Sequence, residues 1–201
     1  MKKSYLQYRL LRPFYDNQAK KMCHDFREYI SKQDRVLDLG CGSGIVAKKI
    51  ESTFKTKVEG VDIIDMREVD IPLKLYNGKD LSFIKDNEFD VVLISYVLHH
   101  TGDLESILKQ ATRIAKKHII IYEDLNEGFF GKIYCFFHGK LYDLVFLKNN
   151  IPARFLNEKQ WKNLFKELNL KLVHSKNKKY LFNFVKRKMF ILEKGVCSSA
   201  G

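Results

Sequence analysis

Several things are scarce in this chain, and each scarcity excludes a class. Three prolines and eleven glycines among 201 residues rule out collagen-like and proline-rich low-complexity chains. The four cysteines stand at positions 23, 41, 135 and 197. No two share C-x-x-C spacing and none stands with a histidine at zinc-site spacing, so no metal is expected. A disulfide framework belongs to chains with too little core. All four therefore read as reduced thiols, with Cys23 and Cys135 packing on helix faces. No apolar run approaches the roughly 18–20 residues a membrane helix needs. The segment Met1–Arg9 begins with positive charge and then alternates polar with apolar residues. It lacks the apolar stretch of a secretory signal, and a cytoplasmic location is expected. Acidic residues are scarce towards the end. Residues 147–201 hold 13 Lys/Arg against Glu158, Glu167 and Glu193, whereas the whole chain carries +12.

What is present suits a folded domain. The hydrophobic fraction of 45% is enough for a core, and the length fits one domain. Apolar residues at helical spacing (Phe14, Ala19, Met22, Phe26 and Ile30) follow Pro13 and predict a helix over 14–31. Short strands are predicted at 35–39, 57–63, 72–76, 89–95 and 118–122, with helices near 45–54 and 104–115 between them. Residues 126–147, rich in Phe and Tyr, and 158–168 read as helices. Residues 171–175 and 181–192 read as a closing hairpin. Alternating buried strands and helices predict a doubly wound, mostly parallel α/β sheet.

One motif carries chemistry. The strand Arg35–Leu39 runs directly into Gly40-Cys41-Gly42-Ser43-Gly44, ahead of a helix. Glycines there let a ligand approach backbone N–H groups at the carboxyl end of a strand. Asp62 closes the next strand, 18 residues after Gly44, where an acid accepts ribose hydroxyls. The turn is G-x-G-x-G, with Ile45 where a dinucleotide fold wants a third glycine. No G-x-x-x-x-G-K-[ST] occurs, which excludes a triphosphate P-loop.

Val36–Gly44 resembles the first motif of class I S-adenosylmethionine-dependent methyltransferases, and Gly60-Val61-Asp62-Ile63 resembles the second. Asn77–Phe83 and Asp86–Val92 are similar to the adenine-side loop and fourth strand. Ser95–His100 is similar to the following stretch in ubiquinone/menaquinone-type small-molecule enzymes. The resemblance covers residues 33–125. It implies a Rossmann-like sheet of seven strands, mostly parallel with an antiparallel C-terminal strand, and helices on both faces. It also implies S-adenosyl-L-methionine as cofactor. Gly40, Cys41, Gly42 and Gly44 would pass the methionine and ribose, Asp38 would hold the ammonium, and Asp62 would take the ribose hydroxyls. Ile63 would lie against adenine, Asn77 and Gly78 would take the adenine-side position that is usually Asp-Ala, and Ser95 and Tyr96 would line the sulfonium end. The chain 1–201 reads as one methyltransferase domain. It comprises an N-terminal helical lid (1–32), a cofactor core (33–125), a substrate-lid insertion (126–157) and a C-terminal helix with hairpin (158–194).

Methyl transfer chiefly needs positioning and exclusion of water. Where an acceptor must lose a proton, His99, His100, Glu123 and Asp124 are the candidate bases. The signature [DN]-P-P-[YFW] of exocyclic-amine methylation is absent after the fourth strand, as is a Pro-Cys nucleophile for pyrimidine carbon-5. Aromatic density in 126–157 suits a small aromatic or apolar acceptor. The basic stretch 147–194 leaves open a nucleic acid or an anionic membrane as partner, and a non-catalytic, cofactor-binding interaction protein is the third alternative.

Overall fold

Pro13 brings a helix-ready φ to the first turn, and helix α1 runs Arg12–Asp25. The computed structural model describes residues 11–142, 153–178 and 185–195. Residues 1–10 of the expected N-terminal lid, 143–152 of the insertion and 179–184 of the hairpin lie outside the described residues. Helix α1 buries Ala19 and Met22 completely, as does the turn at Phe26, but Phe14 is 54% exposed. Five positions from Ala19, Phe14 lies about 140° round the helix. The helix also stops short of residue 31, because Asp34 accepts the Ser31 N–H at 2.8 Å and closes a turn instead.

The chain divides into two compact units, one running to Ser95 with Arg113–Lys116, the other comprising 96–112 and the rest from Lys117. In the first unit, β1 (Arg35–Leu39), α2 (Ile45–Phe54), β2 (Lys57–Asp62), β3 (Leu73–Leu75) and β4 (Phe89–Ser95) follow in order. Val36 pairs in parallel register with Val58 on one side and Val91 on the other. Val91, Val92, Leu93 and Ile94 are wholly buried, as a strand covered on both faces requires. Each such side chain contributes about 1.5–3 kcal/mol by leaving water. Helix α1 meets α2 through Phe26 and Phe54, whose rings lie 6.1 Å apart.

The second unit opens with a 3-10 turn, Leu98–His100, and α3 (Leu104–Ile114), which crosses back into the first unit at Arg113. Then come β5 (Ala115–Leu125), α4 (Gly128–Tyr142), α5 (Glu158–Glu167), β6 (Leu170–Lys178) and β7 (Lys186–Lys194). β7 pairs antiparallel with both β5 and β6. The seven strands form one sheet of order β3-β2-β1-β4-β5-β7-β6, so the expected seven-stranded, mixed, Rossmann-like architecture is what is found. One boundary differs in a way that matters. The fifth strand extends to Leu125, which places Glu123 and Asp124 within it and not at its end. They are held there opposite Lys188 and Arg187. β6, at the sheet edge, is largely exposed and lysine-bearing, a composition that discourages edge-to-edge association.

Candidate functional site

The glycine turn packs tightly against its own chain. β1 ends at Leu39, and the chain reverses with Gly40 donating its N–H to the Val61 carbonyl at 2.7 Å. Gly44 sits at φ +75°, in the left-handed region, and starts α2 with no side-chain cap. A Cβ on Gly44 would meet Ile71 at 3.0 Å, and one on Gly60 would strike Cys41 Sγ at 2.7 Å. Of the N–H groups that open α2, that of Ala47 bonds to Asp38 and that of Lys48 to the Gly44 carbonyl at 2.9 Å.

Two carboxylates stand beside that turn. Asp62 Oδ2 accepts the Gly42 N–H at 2.8 Å, and its Oδ1 accepts the Ile63 N–H at 2.7 Å. Burial still pushes its pKa up against those bonds. Asp38 is 1% exposed. Its pKa is pushed up to about 7, first by burial and then by the Asp62 charge, with a backbone hydrogen bond from Ala47 opposing. Among the described residues its Oδ2 has no hydrogen-bond partner. A buried, unpartnered carboxylate oxygen is costly, and an ammonium group would remove that cost. These donors and acceptors fit the amino-acid and ribose parts of S-adenosylmethionine.

The other expected residues are placed as follows. Cys41 turns its thiol into the core, and burial pushes the thiol pKa up, so only its backbone faces the turn. Ile63 remains 39% exposed at the end of β2. A Cβ on Gly78 would come within 3.3 Å of Ile63, which brings the two adenine-side positions together. Asn77 is exposed, and its side-chain oxygen accepts the N–H groups of Lys79 and Asp80 at 2.9 and 2.8 Å. That oxygen closes its own turn. Ser95 ends β4 half-buried. Tyr96 follows at φ +58°, a conformation that costs a non-glycine residue about 1–3 kcal/mol, and its N–H is tied to the Tyr122 carbonyl at 2.8 Å. Tyr76, which sequence reasoning missed, donates its N–H to the Asp62 carbonyl, and burial with the Asp62 charge raises its hydroxyl to about 12. Arg67 grips Asp65 through two bonds of 2.8 Å and the Ile71 carbonyl at 2.6 Å, bracing the loop after β2.

The candidate bases divide into two pairs, both in the second unit. Glu123 is wholly buried. Its Oε1 accepts the Leu98 N–H at 2.9 Å, and its Oε2 meets His99 Nδ1 at 2.5 Å. Asp124 is held by Arg187 Nε at 2.7 Å. Both carboxylates therefore serve internal partners. His99, 2% exposed, stacks on Phe155 at 4.4 Å. His100 is pushed down to about 2 by burial and by its neighbours His99 and His138. His138 on α4 is lowered by burial first. Sequence reasoning missed His138 because nothing local marks it.

An acid-tipped second strand beside a glycine turn, in a mixed seven-stranded sheet, defines the fold of class I S-adenosylmethionine-dependent methyltransferases. The chain matches the methyltransferase domain family over residues 11–175 and belongs to that family. It is 34% identical over 144 residues to an uncharacterized protein of Methanocaldococcus jannaschii, covering 68% of this chain and 64% of that protein. It is 25% identical over 107 residues to a ubiquinone biosynthesis O-methyltransferase of Neisseria meningitidis, covering 47% of this chain and 45% of that one. The chain thus spans less than two thirds of the length of these relatives. A solved S-adenosylmethionine-dependent methyltransferase from Archaeoglobus fulgidus is similar in fold, with TM-score 0.69 and 16% identity over 93% of this chain and 99% of that one. One from Methanosarcina mazei has TM-score 0.65 and 18% identity, over 85% and 96%.

Proposed function

We propose that the chain binds S-adenosylmethionine and transfers its methyl group to a small aromatic or apolar acceptor. The unpartnered carboxylate oxygen of Asp38, buried beneath the glycine turn with Asp62 at the tip of the next strand, carries this reading. The cofactor supplies a methyl group already activated on a sulfonium. Asp38 holds the ammonium end, Asp62 accepts from the ribose hydroxyls, and Gly40, Gly42 and Gly44 let those parts approach the backbone. Ile63 and Gly78 offer the adenine an apolar surface, and Ser95 with Tyr96 borders the reacting end. Positioning of the two reactants does most of the work of such an in-line transfer. Glu123 and Asp124 are committed to His99 and Arg187, so this reading draws no proton through them.

The acceptor class is supported by α4, which exposes Phe129, Phe130, Ile133, Phe136 and Phe137. Family resemblance to the quinone-type enzymes agrees with it. Lys186, Arg187 and Lys188 are paired with Glu127, Asp124 and Glu158. This internal pairing favours a small acceptor over a nucleic acid or an anionic membrane. Among the described residues no helix is long and apolar enough to cross a membrane.

Calorimetric titration with S-adenosylmethionine, S-adenosylhomocysteine and NAD tests the cofactor. Micromolar binding of the two sulfur ligands and none of NAD is expected, with Asp62→Ala weakening binding at least about 100-fold, the loss of two charge-assisted hydrogen bonds. Unchanged binding by Asp62→Ala would overturn the ribose placement. Absence of binding of either sulfur ligand by the native chain would overturn the cofactor reading and leave a role by interaction alone.

A further inference from the structure

His99, His100 and His138 bring one ring nitrogen each to within 4.8 Å of one another, in the second unit. Two of them leave the 3-10 turn after β4 and the third comes from α4, so no sequence spacing announces the cluster. We propose that these three imidazoles form a binding site for a divalent transition-metal ion, zinc as the reference case.

The argument begins at Glu123. Its buried carboxylate meets His99 Nδ1 at 2.5 Å and simultaneously caps the Leu98 N–H. With Nδ1–H donated to the carboxylate, the lone pair of His99 lies on Nε2. That atom is buried and, among the described residues, has no hydrogen-bond partner. A carboxylate behind one imidazole nitrogen and a vacant lone pair on the other is how proteins prepare a histidine for a metal. The His99 ring is fixed further by stacking on Phe155 at 4.4 Å. On α4, Tyr134 stacks on His138 at 5.2 Å and its hydroxyl lies 3.3 Å from His138 Nδ1, which holds the third ring from behind.

The spacing is close to what coordination needs. Zinc takes imidazole nitrogen at about 2.0–2.1 Å, which sets tetrahedral donors about 3.3 Å apart. Binding would draw the three nitrogens inward from their present 4.8 Å envelope. Imidazole ligands suit zinc and its late first-row neighbours better than magnesium or calcium, which prefer oxygen. Three protein ligands leave a tetrahedral ion one position for water or for an oxygen-bearing ligand. That is the arrangement of reactive zinc sites, whereas structural ones are closed by a fourth side chain. The sequence holds no such spacing and led to the expectation of no metal, so this site belongs to the tertiary structure alone. It is independent of the methyl-transfer reading, because none of the three histidines is used there.

The test uses the tag-free 201-residue chain, stripped with a chelator and titrated with zinc ion against a chromophoric competitor, and with cobalt ion by visible absorption. One equivalent of zinc is expected, with submicromolar affinity, together with the intense visible bands of tetrahedral cobalt. His138→Ala and His100→Ala should each weaken binding at least about 100-fold. Glu123→Gln should weaken it about 10–100-fold, because an amide N–H facing Nδ1 shifts the ring proton to Nε2. His138 is half-buried, so His138→Ala serves where changes at the wholly buried positions prevent folding. An unchanged metal-free melting temperature shows that the variant is intact. Equal zinc affinity in native protein and His138→Ala, or no binding at ten micromolar zinc, would overturn the site and leave a packed aromatic cluster.

Discussion

Asp38 is the residue on which most turns. Its carboxyl, ordinarily near 3.8, is raised to about 7 in the folded chain. The folded state therefore holds a proton more tightly than the unfolded one. By linkage this group's contribution to stability is fullest below about pH 4 and is lost as pH rises towards 7. Asp38→Asn should flatten that part of the melting-temperature profile between pH 4 and 7. An ammonium seated on Asp38 favours the ionised form, so binding of S-adenosylmethionine at pH 6 should release a proton. Calorimetry at pH 6 in phosphate and in Bis-Tris, buffers of different ionisation enthalpy, reads this as a difference in apparent enthalpy that corresponds to nearly one proton per site. Equal heats in the two buffers would show that Asp38 does not meet the ammonium. Glu123 makes the opposite case, since it is already satisfied by Leu98 and His99. Glu123→Ala strands a buried imidazole N–H and a backbone N–H. It should cost about 2–4 kcal/mol in urea unfolding, the usual penalty of orphaning buried polar groups.

At the scale of elements, the ends of two helices carry measurable energy. Helix α2 closes on Lys55 at φ +56°, in the left-handed region that side chains with a Cβ enter at a cost of about 1–2 kcal/mol. Lys55 is exposed, so Lys55→Gly should stabilise the protein by about 1 kcal/mol by denaturant titration. Helix α5 begins with a reciprocal capping box. Asn157 accepts the Gln160 N–H, and Gln160 reaches back to the Asn157 N–H, both at 2.9 Å. Asn157→Ala should cost about 1 kcal/mol in the same titration. The length of β5 is also an element-scale result. Two adjacent acids look like a strand end when read alone. Opposite Lys188 and Arg187 of β7 they become interior strand residues.

For the molecule as a whole, the core shows in its thiols. Cys23, Cys41 and Cys135 are buried and free, and burial pushes Cys23 up to about 11 and Cys135 up to about 12. A thiol pushed up to about 11, as Cys23 is, presents about 100-fold less thiolate at pH 8 than an ordinary one. These three cysteines should react with a disulfide reagent at least about 100-fold more slowly in native protein than in guanidinium. Fast modification of any of them in native protein would show that its part of the core opens. The sheet supports this expectation, since β1 and β4 bury their central residues completely.

The sequence by itself determined the first five strands to within a few residues, the glycine turn and the two acids beside it. These are local properties: apolar alternation, glycines at positive φ and an acid at a strand end all act over a few bonds. Tertiary structure alone decided how those residues are used. Asn77 spends its side-chain oxygen on its own turn, Glu123 and Asp124 find partners 25 and 63 residues away, and His138 joins His99 and His100. Contacts of that separation depend on which strand lies beside which, and burial then sets the charge each group can bear. Neither is written in the spacing of residues along the chain.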